Sequence, residues 1–253
     1  SKVAEASSFV DSDYYAAALS SSPTGLRSAI NGIIAANHKQ LTYSEVWSVL
    51  TYTDEDPNNA NNVIEIYTGN SIAKFFNGSG EQASNPDAWN REHIWAKSHG
   101  FPDRSQLGYT DVHHLRPADI SVNAARSNYD FADGGVPLTE SPANSYDETL
   151  RTWEPRAQVK GDVARMMFYM DIRYEGAAAD STPDLVLVDN IGTENGTPLF
   201  GKLCTLYQWH LDDPVDAFET KRNNTAYEYQ GNRNPFIDHP EWIAQLYASQ
   251  CGQ

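Results

Sequence analysis

The sequence predicts one mixed α+β domain, rich in helix, extending over residues 1–253. Three observations lead there. Apolar residues recur at helical spacing near both ends of the chain. A strand, connection, strand, helix order occupies residues 90–127. No internal repeat, low-complexity run or linker divides the chain, and its length suffices for one sizeable core.

Taken in order, Phe9, Tyr14, Tyr15 and Leu19 fall at helical spacing before SSSPTG interrupts them, and Leu26 to Ala35 forms a second periodic stretch. TYSEVWSVLTYTDED opens with Thr42 or Ser44 ahead of Glu45, the pattern of a capped helix start. Asn58 to Asn62 reads as a polar loop. Val63 to Thr68 alternates apolar and polar residues as a strand does, and Gly78 to Pro86 reads as loop. Asn90 to Trp95 is a predicted strand, followed by a turn-rich connection through Pro102 and Gly108. Asp111 to Leu115 is expected as a second strand stopped by Pro117. Asp119 to Ser127 follows as a short helix capped by Asp119 or Ser121. Gly134 to Pro155 is expected to be a loop-rich insertion. The strongest helical pattern is Gly161 to Glu175, where Val163, Met166, Met167, Met170 and Tyr174 share one side. That composition suits core packing better than a cofactor site. Helices at Leu199 to Asp212, Asp216 to Tyr229 and Pro240 to Ala248 complete the chain.

No run of about 18 apolar residues exists, so no membrane span is expected. Residues 1–20 lack a basic start followed by an apolar stretch, so Ser1 is expected to begin a mature or trimmed chain. Cys204 and Cys251 are too few for a disulfide scaffold and too far apart for a metal clip; a single bridge holding the C-terminal tail is expected, in an oxidising compartment. The net charge of -16 argues against a polyanionic partner unless it is unevenly spread. It is. Between Trp89 and Phe131, five basic residues (Arg91, Lys97, Arg104, Arg116, Arg126) balance five acidic ones (Glu92, Asp103, Asp111, Asp119, Asp130), and four of the seven histidines lie there. All the excess acid is elsewhere, an arrangement that suits few phosphate contacts and a salty medium.

Two phrases in that segment carry chemistry: NREHIW at 90–95 and DVHHLRPADISVNAARSNYDF at 111–131. Phosphodiester hydrolysis needs a base near neutral pH, a cation for the developing phosphoryl charge and a clamp on the phosphate. His93 is the candidate base. Glu92 and Asn123 offer the hard oxygens that magnesium takes while keeping several waters. Arg116 and Arg126 compete for the phosphate clamp. Glu92 and His93 would point to opposite faces of an ideal strand, so one site can use both only where the backbone bends or the site wraps the strand end.

NREH, then DVHHLRPAD, then VNAARSNYDF, resembles the endonuclease I family of periplasmic and extracellular bacterial nucleases, within the His-Me finger or ββα-metal group. KGDVARMMFYMDIRY at 160–174 and KRNNTAYEYQGNRNPFIDHPEW at 221–242 extend the similarity, which covers roughly Trp89 to Trp242. The resemblance implies a ββα-metal finger at about 89–131, with His93 as general base and Glu92 and Asn123 as ligands of a single magnesium ion; Mn2+ or Ca2+ are alternative occupants. It implies cleavage of DNA and RNA with little sequence preference, leaving 5′-phosphates, by a secreted or periplasmic enzyme expected to be a monomer. The chain departs from better-known members in its two cysteines and its acidity.

Other residues have competing readings. His114 is a candidate for a supporting or substrate-contacting role, His113 less so. Asn128 rivals Asn123 as ligand or braces the helix. Lys97 and Arg222 are candidate substrate contacts, although Arg222 is better read as holding helices together, and Arg91 as bracing the fold. Asp212, Asp213 and Asp216 resemble a calcium cluster only weakly. A zinc hydrolase built on His93, His113 and His114 is the rival enzyme reading, and a non-catalytic binding module with an aromatic surface is a third.

Overall fold

A computed structural model describes residues 9–176 and 181–253; Ser1, expected to begin a mature or trimmed chain, lies outside the described residues. Two short helices, α1 (Asp11–Tyr14) and α2 (Ala16–Leu19), precede α3 (Leu26–Ala35), whose bounds match the periodic stretch. The helix α4 (Tyr43–Thr53) begins on a reciprocal cap: Glu45 N donates to Thr42 Oγ1, and Thr42 N to the Glu45 carboxylate.

Next come β1 (Glu55–Asp56), β2 (Asn59–Ile64) and β3 (Ser71–Ala73), an antiparallel sheet in that order. The strand expected at Val63 to Thr68 therefore lies earlier. Asn58 N donates to Asp56 Oδ1 and sets a tight turn, so the polar run Asn59 to Asn62 pairs, while Gly69 N to Glu65 O closes a turn after Ile64.

The strand β4 (Trp89–His93) pairs antiparallel with β5 (Leu115–Asp119), placing Asn90 opposite Ala118, Glu92 opposite Arg116 and His93 opposite Leu115. This corrects the expected second strand at Asp111 to Leu115. His113 N donates to Asp111 Oδ1 and His114 N to Asp111 O, folding that stretch into a turn. Pro117 does not end the strand; its carbonyl accepts from Ile66 N. Asp119 then caps α5 (Ile120–Arg126), its Oδ1 accepting from Ser121 N and Val122 N.

The stretch expected as loop contains most of a four-stranded sheet, order β6-β9-β8-β7, made of β6 (Asp130–Phe131), β7 (Val136–Leu138), β8 (Ser141–Asp147) and β9 (Thr152–Glu154). Buried Asn144 anchors it. Its Nδ2 donates to Tyr67 O, and its Oδ1 accepts from Arg156 N.

The central helix α6 (Lys160–Arg173) is buried on every side from Gly161 to Arg173, not on the single stripe expected. The reason is its neighbours: α3, α7 (Leu203–Asp212) and α9 (Pro235–Asp238) all pack on it. Gly161 permits one close approach, since a Cβ there would stand 2.0 Å from Asp213 O. Leu199 and Phe200 belong to β11 (Leu199–Phe200), parallel to β10 (Val186–Leu187), so α7 starts later than expected. The C-terminal part adds α8 (Ala217–Gln230), capped by Asp216 and Glu219, and α10 (Trp242–Tyr247). The Cys204–Cys251 disulfide ties α7 to the tail. The larger hydrophobic cluster draws residues from Tyr15 to Tyr247, including Trp95, Phe131, Trp153 and Met167. A smaller one joins Val46, Leu50, Val63, Trp89 and Leu115 beneath β4 and β5. No described helix is long and apolar enough to cross a membrane.

Candidate active site

Antiparallel β4 and β5 followed directly by α5 bring Asn90, Glu92 and Asn123 together. Residues two apart on a strand share a face, so Asn90 and Glu92 both approach α5. Asn123 Nδ2 donates to Asn90 Oδ1 at 2.8 Å. In that orientation the other terminal atom of the amide is oxygen, and it stands 3.0 Å from Glu92 Oε1 and 3.3 Å from Oε2. Turning the amide over would give Glu92 a donor, but would set Asn123 oxygen against Asn90 Oδ1 at 2.8 Å. The Asn90 amide can turn with it, its Nδ2 then donating to the Asn123 oxygen, so the pair can present Glu92 with either an amide oxygen or an N–H.

Glu92 is buried, and its other contacts fall on Oε2: Tyr67 Oη donates at 2.8 Å, and Arg126 Nη1 lies at 3.3 Å. Burial raises the carboxyl pKa, while Arg126 and the tyrosine hydroxyl pull it back.

His93 closes β4, and there the chain bends. Arg126 donates to the carbonyls of His93 (2.9 Å) and Ile94 (3.0 Å), fixing that bend. A cavity of about 300 Å³ wraps the strand end, lined by Tyr43, Asn90, Glu92, His93, Lys97 and Asn123 among others. The opposite-face demand is met in this way. His93 Nε2 lies 2.8 Å from Tyr109 O. Since a carbonyl accepts only, Nε2 carries the proton and Nδ1 keeps the lone pair. Burial holds the imidazole well below the ordinary histidine pKa, reinforced by the nearby His114 ring and then Lys97 and Arg91. The ring stacks on Tyr43, centroids 5.8 Å apart.

Of the other expected residues, Lys97 lines the cavity and donates to Tyr109 Oη at 3.0 Å, and Asn128 lines it while accepting from Arg151. Arg116 is not brought there: it is buried, 2.5 Å from Asp54 and 3.3 Å from Asp162. Arg126 stands behind Glu92 rather than in the cavity. Arg222 is spent on Asp54 and the carbonyls of Val112 and Leu115. His114 Nε2 bonds Gly108 O and its Nδ1 accepts from Trp95 N; His113 Nε2 bonds Asn232 O. The three histidines of the zinc reading thus do not converge. Arg91, expected to brace the fold, lies over Tyr43 and Trp47 but also lines the cavity. Asp216 does meet two other carboxylates, Asp162 and Glu219, within 4.8 Å; Arg165 holds Glu219 at 2.7 Å and Arg116 faces Asp162. Asp212 and Asp213 are not in that group. Tyr67, Asn90 and Tyr109 went unread in the sequence. Asn90 sits inside the NREH phrase, whereas Tyr109 contributes a backbone carbonyl, which no residue type signals.

The family described as Endonuclease I matches residues 24–241. An extracellular ribonuclease of Bacillus subtilis (strain 168) is 51% identical over 250 residues, 98% of this chain and 83% of that protein. An extracellular ribonuclease of Bacillus amyloliquefaciens is 52% identical over 236 residues, covering 92% and 78%. A periplasmic deoxyribonuclease of Aeromonas hydrophila is 30% identical over 132 residues, covering 51% and 47%. The disulfide agrees with the secreted or periplasmic localisation these relatives indicate. By the extent of the match and the identity of these relatives, the chain belongs to the endonuclease I family.

Proposed function

We propose that this chain is a secreted, metal-dependent endonuclease that hydrolyses phosphodiester bonds of RNA and DNA without sequence preference, leaving 5′-phosphate ends. Its unit of action is a ββα-metal finger formed by β4, β5 and α5, carried by one domain. His93 is the general base, and Glu92 and Asn123 hold one magnesium ion. Relatives named as ribonucleases and as deoxyribonucleases support the substrate range.

One observation carries the reading: in the cavity that His93 lines, the Asn123 amide stands 3.0 Å and 3.3 Å from the two oxygens of the Glu92 carboxylate and can turn its own oxygen to them. With the amide oxygen turned toward Glu92, the two acceptors repel unless a cation joins them. Ligands at right angles on an ion with bonds of roughly 2.1 Å stand about 3 Å apart, and the closer contact is 3.0 Å. One carboxylate and one amide suit a hard ion that keeps most of its waters. When bound there, such an ion would neutralise charge growing on the phosphate and the leaving oxygen.

The chain's own groups do the rest. Nδ1 of His93 takes a proton from the attacking water, and Tyr109 O steadies the imidazolium through Nε2–H. Tyr67 and Arg126 fix the carboxylate of Glu92. Lys97, held on Tyr109 Oη, offers positive charge to the phosphate. Docking is mainly to phosphates, because unselective cleavage leaves little room for base readout.

The test is cleavage of plasmid DNA and single-stranded RNA with magnesium or with chelator. Chelator-sensitive cleavage is expected, and His93→Ala should lose on the order of 10²–10⁴-fold in rate. Cleavage indifferent to chelator, or His93→Ala at full rate, would overturn the assignment.

A further inference from the structure

A second cavity, about 490 Å³, lies next to the first and shares Tyr43 with it. Gln40, Thr42, Ser44, Arg104 and Ser105 line it. Gln40 Nε2 donates to Ser105 O at 3.0 Å, joining its two walls. The Tyr43 ring links the cavities: His93 stacks on it, the Arg91 guanidinium lies 3.4 Å from its centroid and that of Arg104 lies 5.3 Å away.

Charge sets this track apart from the rest of the chain. The charged residues lining the two cavities are Arg91, Lys97 and Arg104 against Glu92 alone, in a protein of net charge -16. None of the three cations has a carboxylate within ion-pair distance among the described residues, whereas Arg116, Arg126, Arg165 and Arg222 all do. Unpaired cations beside an aromatic ring and a wall of hydroxyl and amide groups match the phosphate, base and sugar of a nucleotide.

We propose that the second cavity seats the nucleotide adjoining the scissile phosphate, with Arg104 holding its phosphate and Gln40, Thr42 and Ser44 facing its sugar and base. This rests on the nuclease reading above. It makes Arg104 a substrate-affinity residue that takes no part in the bond-breaking step.

Steady-state cleavage of a fluorescent RNA oligonucleotide across a salt series tests it. Arg104→Ala should raise KM about tenfold with kcat nearly unchanged, and lower the slope of log KM against log salt by about one. Arg104→Lys should restore most of the loss. Lys221→Ala makes the same charge change at a side chain lining neither cavity and should behave as the parent. An active parent with Arg104→Ala unaltered in KM and slope, or Lys221→Ala equally impaired, would overturn the subsite alone. A parent inactive on the oligonucleotide would overturn the nuclease reading, and the subsite with it.

Discussion

Arg126 Nη1 lies 3.3 Å from Glu92 Oε2, with both side chains buried, and the same guanidinium donates to the carbonyls of His93, Ile94 and Tyr129. One arginine therefore compensates the carboxylate and pins the bend that brings His93 beside it. Removing it strands a buried charge. Arg126→Met should cost roughly 3–5 kcal/mol of stability and weaken divalent-ion binding, read by chemical unfolding and ion titration. Adding Glu92→Gln should recover much of the stability but no activity. Equal stability of Arg126→Met and parent would refute this pairing.

Arg116 has a different fate. Its guanidinium is held by Asp54 and Asp162 in the interior, so Arg116→Ala should also cost roughly 3–5 kcal/mol. The fraction that remains folded should keep the parent's KM and kcat. A stable Arg116→Ala protein with a raised KM would return Arg116 to the phosphate.

These two arginines show where the sequence was legible and where it was not. Local chemistry was readable: Thr42 with Glu45, Asp119 before α5 and the Leu26–Ala35 periodicity each set an element through neighbours a few residues away. NREH and Asn123 stood out because the chemistry limits which residue types can serve, and the fold brings Asn90, Glu92 and Asn123 together. Arg116 was not, because its partner Asp54 is 62 positions away and nothing local distinguishes a buried arginine from a phosphate-binding one. DVHHL was expected as a strand, but Asp111 captures the backbone of His113 and His114 and folds a turn. The sheet formed by β6 to β9 was hidden because SPANSYD is poor in strand formers, and its pairing partners decide its conformation.

His38 supplies a pH-dependent contribution. Burial, with Arg173 and His113 opposing its charge, pushes it down to about 4, and its Nδ1 accepts from Arg173 Nε. Unfolded, the ring takes up a proton near 6.5; folded, it does not. The sign follows: this stability is present above 6.5 and lost as pH falls toward 4. The advantage of the parent over His38→Gln in unfolding free energy should shrink between pH 7 and pH 4.5. A gap that is constant or widens would contradict the assignment.

The Cys204–Cys251 bridge closes a loop of 47 residues in sequence separation. Chain entropy then gives about 4 kcal/mol of stabilisation. Replacing both cysteines with serine should lower the unfolding midpoint while leaving KM near the parent value, since neither cysteine lines the cavity. Unfolding with and without reductant checks it; a parent insensitive to reductant after full reduction is verified would contradict it.

The most direct test is anomalous scattering from crystals of the protein soaked in Mn2+. The account predicts a single strong peak within about 2–2.5 Å of both Glu92 and the Asn123 amide oxygen, beside the His93 ring. A peak only among Asp162, Asp216 and Glu219, or none near Asn123, would contradict it.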